Sequence, residues 1–145
     1  MDLQDYIDFA QENPLCSLAT VDGNQPRVRI FWFWFADEKG FYFETLAMKE
    51  VFKQLKEHPM IEVCFFNNAT EPEKWKSMRV TGKIEFIDDI NLKKKLLVDL
   101  PILANVGSGK PEDPVFQIFR IYTGEAHFWT VADAGQEREI ERTKF

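Results

Sequence analysis

The hydrophobic pattern of this chain alternates between a helical period and a strand period. Residues 3–12 predict a helix, because Leu3, Tyr6, Ile7 and Ala10 fall at i, i+3, i+4 and i+7 and form one apolar stripe. A second stripe of this kind covers residues 48–55. A third helix is predicted from an N-cap at Asp88-Asp89 to about residue 100.

Between these helices the apolar positions alternate with a period of two, which is typical of half-buried antiparallel strands. The predicted strands are 15–21, 27–35, 41–45, 61–66, 75–87, 115–122 and 125–131. We expect the last two to pair with each other, and the tail from residue 133 to be a short exposed helix or frayed. Six or seven antiparallel strands with two or three helices predict a mainly β (α+β) Greek-key or meander barrel with peripheral helices.

Residues 27–35, Arg-Val-Arg-Ile-Phe-Trp-Phe-Trp-Phe, are the most informative segment. As one strand, they place Arg27 and Arg29 on one face and Val28 and Ile30 on the other. Both faces are apolar in the second half, so we expect both to be buried, one in the barrel and one under a helix, a cofactor or a second subunit. A hairpin at 37–40 is predicted to bring Thr45 beside the N-terminal half of this strand.

Composition and charge narrow the function further. The 145 residues fit a single domain, 1–145, and 14% of them are aromatic. The formal charge of −6 disfavours nucleic-acid binding, because an acidic surface repels a phosphate backbone. No uncharged run exceeds ten residues, so no membrane span is predicted. We expect both cysteines, Cys16 and Cys64, to be reduced, and the protein to be cytoplasmic. The few soft ligands, which include only His58 and His127 as histidines, predict no metal site.

Arg27, Arg29, Thr45 and Lys49 form the strongest candidate for chemistry. A guanidinium, a hydroxyl, an ammonium and a helix N-terminus together are typical of a phosphate site. The surrounding aromatic residues indicate that the phosphate belongs to a ligand with a flat ring. The alternative is purely structural: solvent-facing arginines, a threonine cap and a lysine on an exposed helix face.

At this point residues 15–87 resemble the pyridoxamine 5′-phosphate oxidase-like family, the FMN-binding split barrels. The ordered matching segments are Ala19-Thr20-Val21-Asp22-Gly23, Pro26-Arg27-Val28-Arg29, Gly40-Phe41-Tyr42-Phe43-x-Thr45, Lys49, Gln54-Leu55, Pro59 and Arg79-Val80-x-Gly82-Lys83. The resemblance implies a split β-barrel, a small-molecule substrate, and a homodimer with two FMN sites at the subunit interface.

The resemblance also implies roles for individual residues. Arg29 and Lys49 would hold the FMN phosphate, and Arg27 and Thr45 would line the same pocket with Phe43. The backbone around Val28 and Ile30 would run along the isoalloxazine edge. Gln54, Trp75 and Arg79 would complete the site, each from the same subunit or from its partner. No catalytic acid or base is assigned.

The C-terminal Arg/His signature by which the true oxidase grips its substrate is missing from this sequence. Oxidation of pyridoxamine phosphate is therefore not expected, and the chain is more similar to the small nitroimidazole-reductase-like and flavin-reductase-like members. The residues used here would bind a phosphate and a flat ring, which FMN, FAD and a deazaflavin share, so the sequence does not decide among these three cofactors. An alternative function is non-catalytic binding of haem or another planar cofactor on the same barrel, with His127 as a candidate ligand.

Overall fold

The computed structural model describes residues 2–145 and contains three α-helices and eight β-strands. The helices are α1 (Leu3–Glu12), α2 (Glu50–Glu57) and α3 (Ile90–Asp99). The strands are β1 (Leu15–Asp22), β2 (Gln25–Trp32), β3 (Phe35–Asp37), β4 (Gly40–Leu46), β5 (Met60–Phe66), β6 (Lys76–Ile87), β7 (Phe116–Thr130) and β8 (Thr143–Lys144). None of the helices described in residues 2–145 is long and apolar enough to span a membrane.

All strand pairs are antiparallel, and the strand order is β2-β1-β5-β6-β7-β4-β3, with β8 added at the edge of β7. The sheet curls around one apolar core, in which Leu18, Val63 and Val80 from three neighbouring strands are fully buried. The curl leaves β2 and β3 as edges, so the barrel is open between them. The predicted mainly β split barrel with few helices is confirmed.

The aromatic segment 27–35 is not one strand, contrary to the prediction. β2 ends at Trp32, and the chain turns at Phe33 and Trp34 before β3 begins. Both residues at this turn are buried, Phe33 in the main core and Trp34 in a second cluster under α3, where its Nε1 donates to Asp99 at 2.8 Å. The predicted burial of both faces therefore holds at Phe33 and Trp34, while Val28 and Ile30 are 70% and 65% exposed.

The predicted pairing of the last two strands is also corrected. Residues 116–130 form one long strand, β7, which pairs with β6 along its length through a register shift at Lys83/Ile84. Gly82 and Gly124 face each other beside this irregularity. A Cβ on Gly124 would lie 1.9 Å from the Thr81 carbonyl oxygen, so only glycine permits this close approach. The two long strands can bend here and close the barrel.

The segment after residue 130 is ordered against the barrel, whereas frayed or helical structure was predicted. It contains two short 3₁₀ turns, Val131–Asp133 and Glu137–Glu139, and then β8. The ring of Phe145 lies 5.4 Å from that of Phe41. At the other end of the chain, α1 is confirmed at the predicted bounds, with Asp2 in a capping box and Tyr6 stacked on Phe128 at 4.7 Å.

Candidate functional site

Arg29 is at the centre of a polar cluster where α2 packs across β1. Its Nη1 donates to Thr20 Oγ1 at 2.7 Å and to the Leu18 carbonyl oxygen at 3.3 Å. Its Nη2 donates to Gln54 Oε1 at 2.6 Å, and the Thr20 hydroxyl donates to the same oxygen at 2.6 Å. These bonds fix the guanidinium on the face of the sheet that carries Leu18. Burial, and then the charge of Arg27, lower the pKa of Arg29, which stays protonated because guanidinium pKa values are so high.

Lys49 brings a second positive charge to this end of the barrel. Lys49 is the N-cap of α2, and its side chain makes no capping hydrogen bond. The first backbone N–H groups of the helix are therefore not bonded by the side chain of the cap residue. Its Nζ lies 5.1 Å from the centroid of the Phe31 ring, and Phe31 is two residues from Arg29 on the same strand face. An ammonium beside an open helix N-terminus attracts an anion.

Thr45 supplies the observation that most directly indicates a ligand. Its side chain is 1% exposed, yet Oγ1 has no hydrogen-bond partner among residues 2–145. The neighbouring Phe43, two residues back on the same face of β4, lies 6.2 Å ring to ring from Phe31, which links Thr45 to the Lys49 side of the site. A buried hydroxyl without a partner is costly, so an acceptor from a bound ligand would stabilise this position.

The route by which Thr45 reaches this site differs from the prediction. β4 pairs with β3 and β7, whereas β2 pairs only with β1, so no hairpin brings Thr45 beside Arg29. Nor does Thr45 cap α2, which begins at Glu50. β4 and β2 instead approach each other across the core, where the rings of Phe43 and Phe31 are in contact.

The other predicted site residues are distributed as follows. Phe43 is fully buried in the core, with its ring against Phe31. Arg27 lies at the exposed rim, where its Nε is 3.4 Å from Asp22 Oδ2. Val28 and Ile30 are on the opposite face of β2, the edge strand, which leaves alternate backbone groups unpaired along the open side of the sheet.

Trp75 and Arg79 do not join the cluster within one chain. Trp75 is 39% exposed in the loop before β6, where its Nε1 donates to the Ala69 carbonyl oxygen. Arg79 points away from the core, because its neighbour Val80 is fully buried, and it lies opposite His127 in the register of β6 and β7.

Two residues in or near the site were missed by the sequence analysis. Thr20 holds both Arg29 and Gln54, and its signal is a hydroxyl at a position of β1 where the alternation requires a buried apolar side chain. Glu44 is a half-buried carboxyl next to Thr45. Burial raises its pKa, and the charge of Lys49 partly opposes that rise.

The donor set of this site suits a phosphate. Arg29 donates to Gln54 of α2, Lys49 at the start of α2 lies over Phe31, and the unpartnered Thr45 is two residues from Phe43, whose ring contacts Phe31. No group of His, Cys, Asp and Glu within residues 2–145 is arranged to hold a metal ion. Both cysteines are free thiols.

Comparison with known proteins places the chain in a family. Residues 4–130 match the pyridoxamine 5′-phosphate oxidase family, and the chain therefore belongs to it. The chain is similar to a solved NimC/NimA family protein from Clostridium acetobutylicum, with 26% identity over 99% of this chain and 93% of that one and a TM-score of 0.79. A comparison with curated protein sequences gives no match.

More distant solved structures share the fold and differ in the ligand that their names give. A FAD-binding protein from Mesorhizobium loti is 18% identical over 88% of this chain and 94% of that one, with a TM-score of 0.66. HutZ, the haem storage protein from Vibrio cholerae, is 17% identical over 90% of this chain and 95% of that one, with a TM-score of 0.67. The fold family thus includes proteins that bind flavin and proteins that bind haem.

Proposed function

We propose that this chain is an FMN-dependent oxidoreductase that passes electrons from a reduced donor to a small planar acceptor. The observation that carries the proposal is the buried, unpartnered hydroxyl of Thr45, two residues from Phe43, whose ring contacts Phe31 beside Arg29 and Lys49. An FMN phosphate would accept from Thr45 Oγ1 and from both cations. FAD or a deazaflavin would present related phosphate and ring features to the same residues.

In this proposal the protein binds and orients the cofactor, and the flavin supplies the electron transfer. Arg29 is the main phosphate ligand, and Thr20 and Gln54 are positioning residues that hold its guanidinium. The backbone of β2 around Val28 and Ile30 would run along the edge of the flavin ring. Trp75 and Arg79 would approach a flavin from the partner subunit.

A homodimer is part of the proposal, and the surface of the sheet supports it. Leu15, Val28, Ile30 and Met60 are each between 55% and 70% exposed on β1, β2 and β5, which are neighbouring strands. Shallow clefts of about 330 and 580 Å³ share Met60 and Thr81 along this face. A second copy would cover these apolar side chains, and sedimentation equilibrium should give twice the mass of one chain.

The site assignment is tested with an Arg29→Ala, Lys49→Ala double variant. Loss of two charged hydrogen-bond donors, each contributing about 1.5–3 kcal/mol, should weaken FMN at least about 100-fold in a fluorescence titration. The matched control is Lys53→Ala, Lys94→Ala, which removes the same charge from exposed helix positions and should bind FMN like the wild type. Full affinity in the first variant, with its circular dichroism unchanged, would contradict the assignment.

A further inference from the structure

A second polar cluster lies on the outer face of the sheet, opposite the face that carries Arg29 and Leu18. Cys64, Arg79 and His127 occupy one cross-strand row on β5, β6 and β7, because Cys64 is in register with Arg79 and Arg79 with His127. Their side chains point away from the core, because their sequence neighbours Val63, Val80 and Ala126 are fully buried on the opposite face of the sheet.

His127 is unusual within this row. Its side chain is 5% exposed, and Nε2 has no hydrogen-bond partner among residues 2–145. Burial first, and then the charges of Arg142 and Arg79, lower the pKa of the imidazole, while Glu62 and Glu125 act in the opposite direction. A buried ring nitrogen without a partner is costly and is satisfied when a ligand supplies a complementary atom.

The segment of residues 134–142, which we call the strap, is tied by two ion pairs to residues beside His127. Glu137 Oε1 lies 3.8 Å from Nη1 of Arg79, the cross-strand neighbour of His127, and Arg142 Nε lies 3.5 Å from Glu125 Oε1. All strap residues are exposed except Ile140, which is half-buried. The strap therefore buries little apolar surface, and exposed ion pairs contribute little to stability.

We propose that Arg79 and His127 form a binding subsite for an anionic group, a carboxylate or a phosphate, and that the strap closes this subsite when no ligand is bound. Glu137 places its own carboxylate on Arg79, as the ligand's anion would. Displacement of the strap frees the guanidinium and gives the ligand access to Nε2 of His127. Arg79 would also approach a flavin bound by the partner subunit, so the proposal is tested on the protein without FMN, where only the added anion can occupy this row.

The test uses inorganic sulfate as the probe and the imidazole ¹⁵N resonances as the readout. The chain has two histidines, so His58, an exposed residue at the end of α2, serves as the internal reference for His127. Sulfate should shift the His127 signals in a saturable way, and Glu137→Gln should tighten binding by up to about fivefold, because an exposed ion pair no longer competes. Sodium chloride at equal ionic strength should leave both histidines unchanged.

The matched control is Glu139→Gln, which removes the same charge two residues away, where the described part of the chain shows no ion pair. It should bind sulfate like the wild type. Arg79→Gln should abolish the His127 shift. The proposal is overturned if sulfate leaves His127 unmoved in Glu137→Gln, if Glu137→Gln and Glu139→Gln tighten binding equally, or if binding survives Arg79→Gln.

Discussion

Replacing Thr45 with valine removes a hydroxyl while keeping the shape of a side chain that is 1% exposed. An unsatisfied buried polar group costs about 1–3 kcal/mol, so the variant without cofactor should be more stable than the wild type by that amount. For a domain of this size, the midpoint of thermal unfolding should rise by about 2–4 °C for each kcal/mol.

The same change should weaken the cofactor. Valine cannot donate to a phosphate oxygen, and a hydrogen bond to a charged group contributes about 1.5–3 kcal/mol, which corresponds to FMN binding that is about 10- to 150-fold weaker. Thermal unfolding without FMN and a fluorescence titration with FMN measure the two effects separately. Stability and affinity should therefore change in opposite directions.

Thr20→Val is the matched control, since Thr20 is 2% exposed and both of its hydrogen bonds are formed. Here valine removes a donor to Gln54 and an acceptor for Arg29, so the protein without cofactor should lose about 1–3 kcal/mol of stability. The reasoning is refuted if Thr45→Val destabilises the protein as much as Thr20→Val does. That result would mean that the Thr45 hydroxyl is satisfied in the protein alone.

Two further predictions concern titration. The pKa of Glu44 is raised above its ordinary 4.5, so ionisation of this carboxyl destabilises the fold as pH rises. Glu44→Gln should therefore stabilise the protein without cofactor at pH 7, and this gain in stability should vanish below about pH 4.5. A pH-independent gain in denaturant titrations would contradict it. Burial raises the pKa of Cys16 to about 12 from 9.0. A thiol reagent should therefore modify the half-buried Cys64 before Cys16. The stability that the protonated Cys16 thiol contributes should be lost as pH rises from 9 towards 12. Equal labelling rates would be inconsistent with this burial.

The local parts of the fold were predictable from the sequence. The bounds of α1 follow from one apolar stripe, and the alternation in 75–87 predicts which face of β6 is buried. The break at Phe33 and Trp34 could not be predicted, because the two residues enter different clusters and the hydrophobic pattern stays continuous across the turn.

The candidate site was predictable as a set of residues but not as a geometry. Arg29 and Lys49 were identified from their residue types and Gln54 from the family resemblance, and the structure brings Arg29 and Gln54 into contact across 25 positions. That the Thr45 hydroxyl has no hydrogen-bond partner depends on the packing of all its neighbours, and the hydrophobic pattern of a sequence carries no information on that packing. The same holds for His127, because its burial depends on the strap that follows it.

The most direct test of the account is the visible absorption spectrum of the freshly purified protein, recorded before and after FMN is added and the sample dialysed. The account predicts paired flavin bands that survive dialysis in the wild type and are lost in the Arg29→Ala, Lys49→Ala variant. A sharp Soret band would contradict it and establish the haem alternative. A colourless protein that does not retain FMN would contradict flavin binding itself.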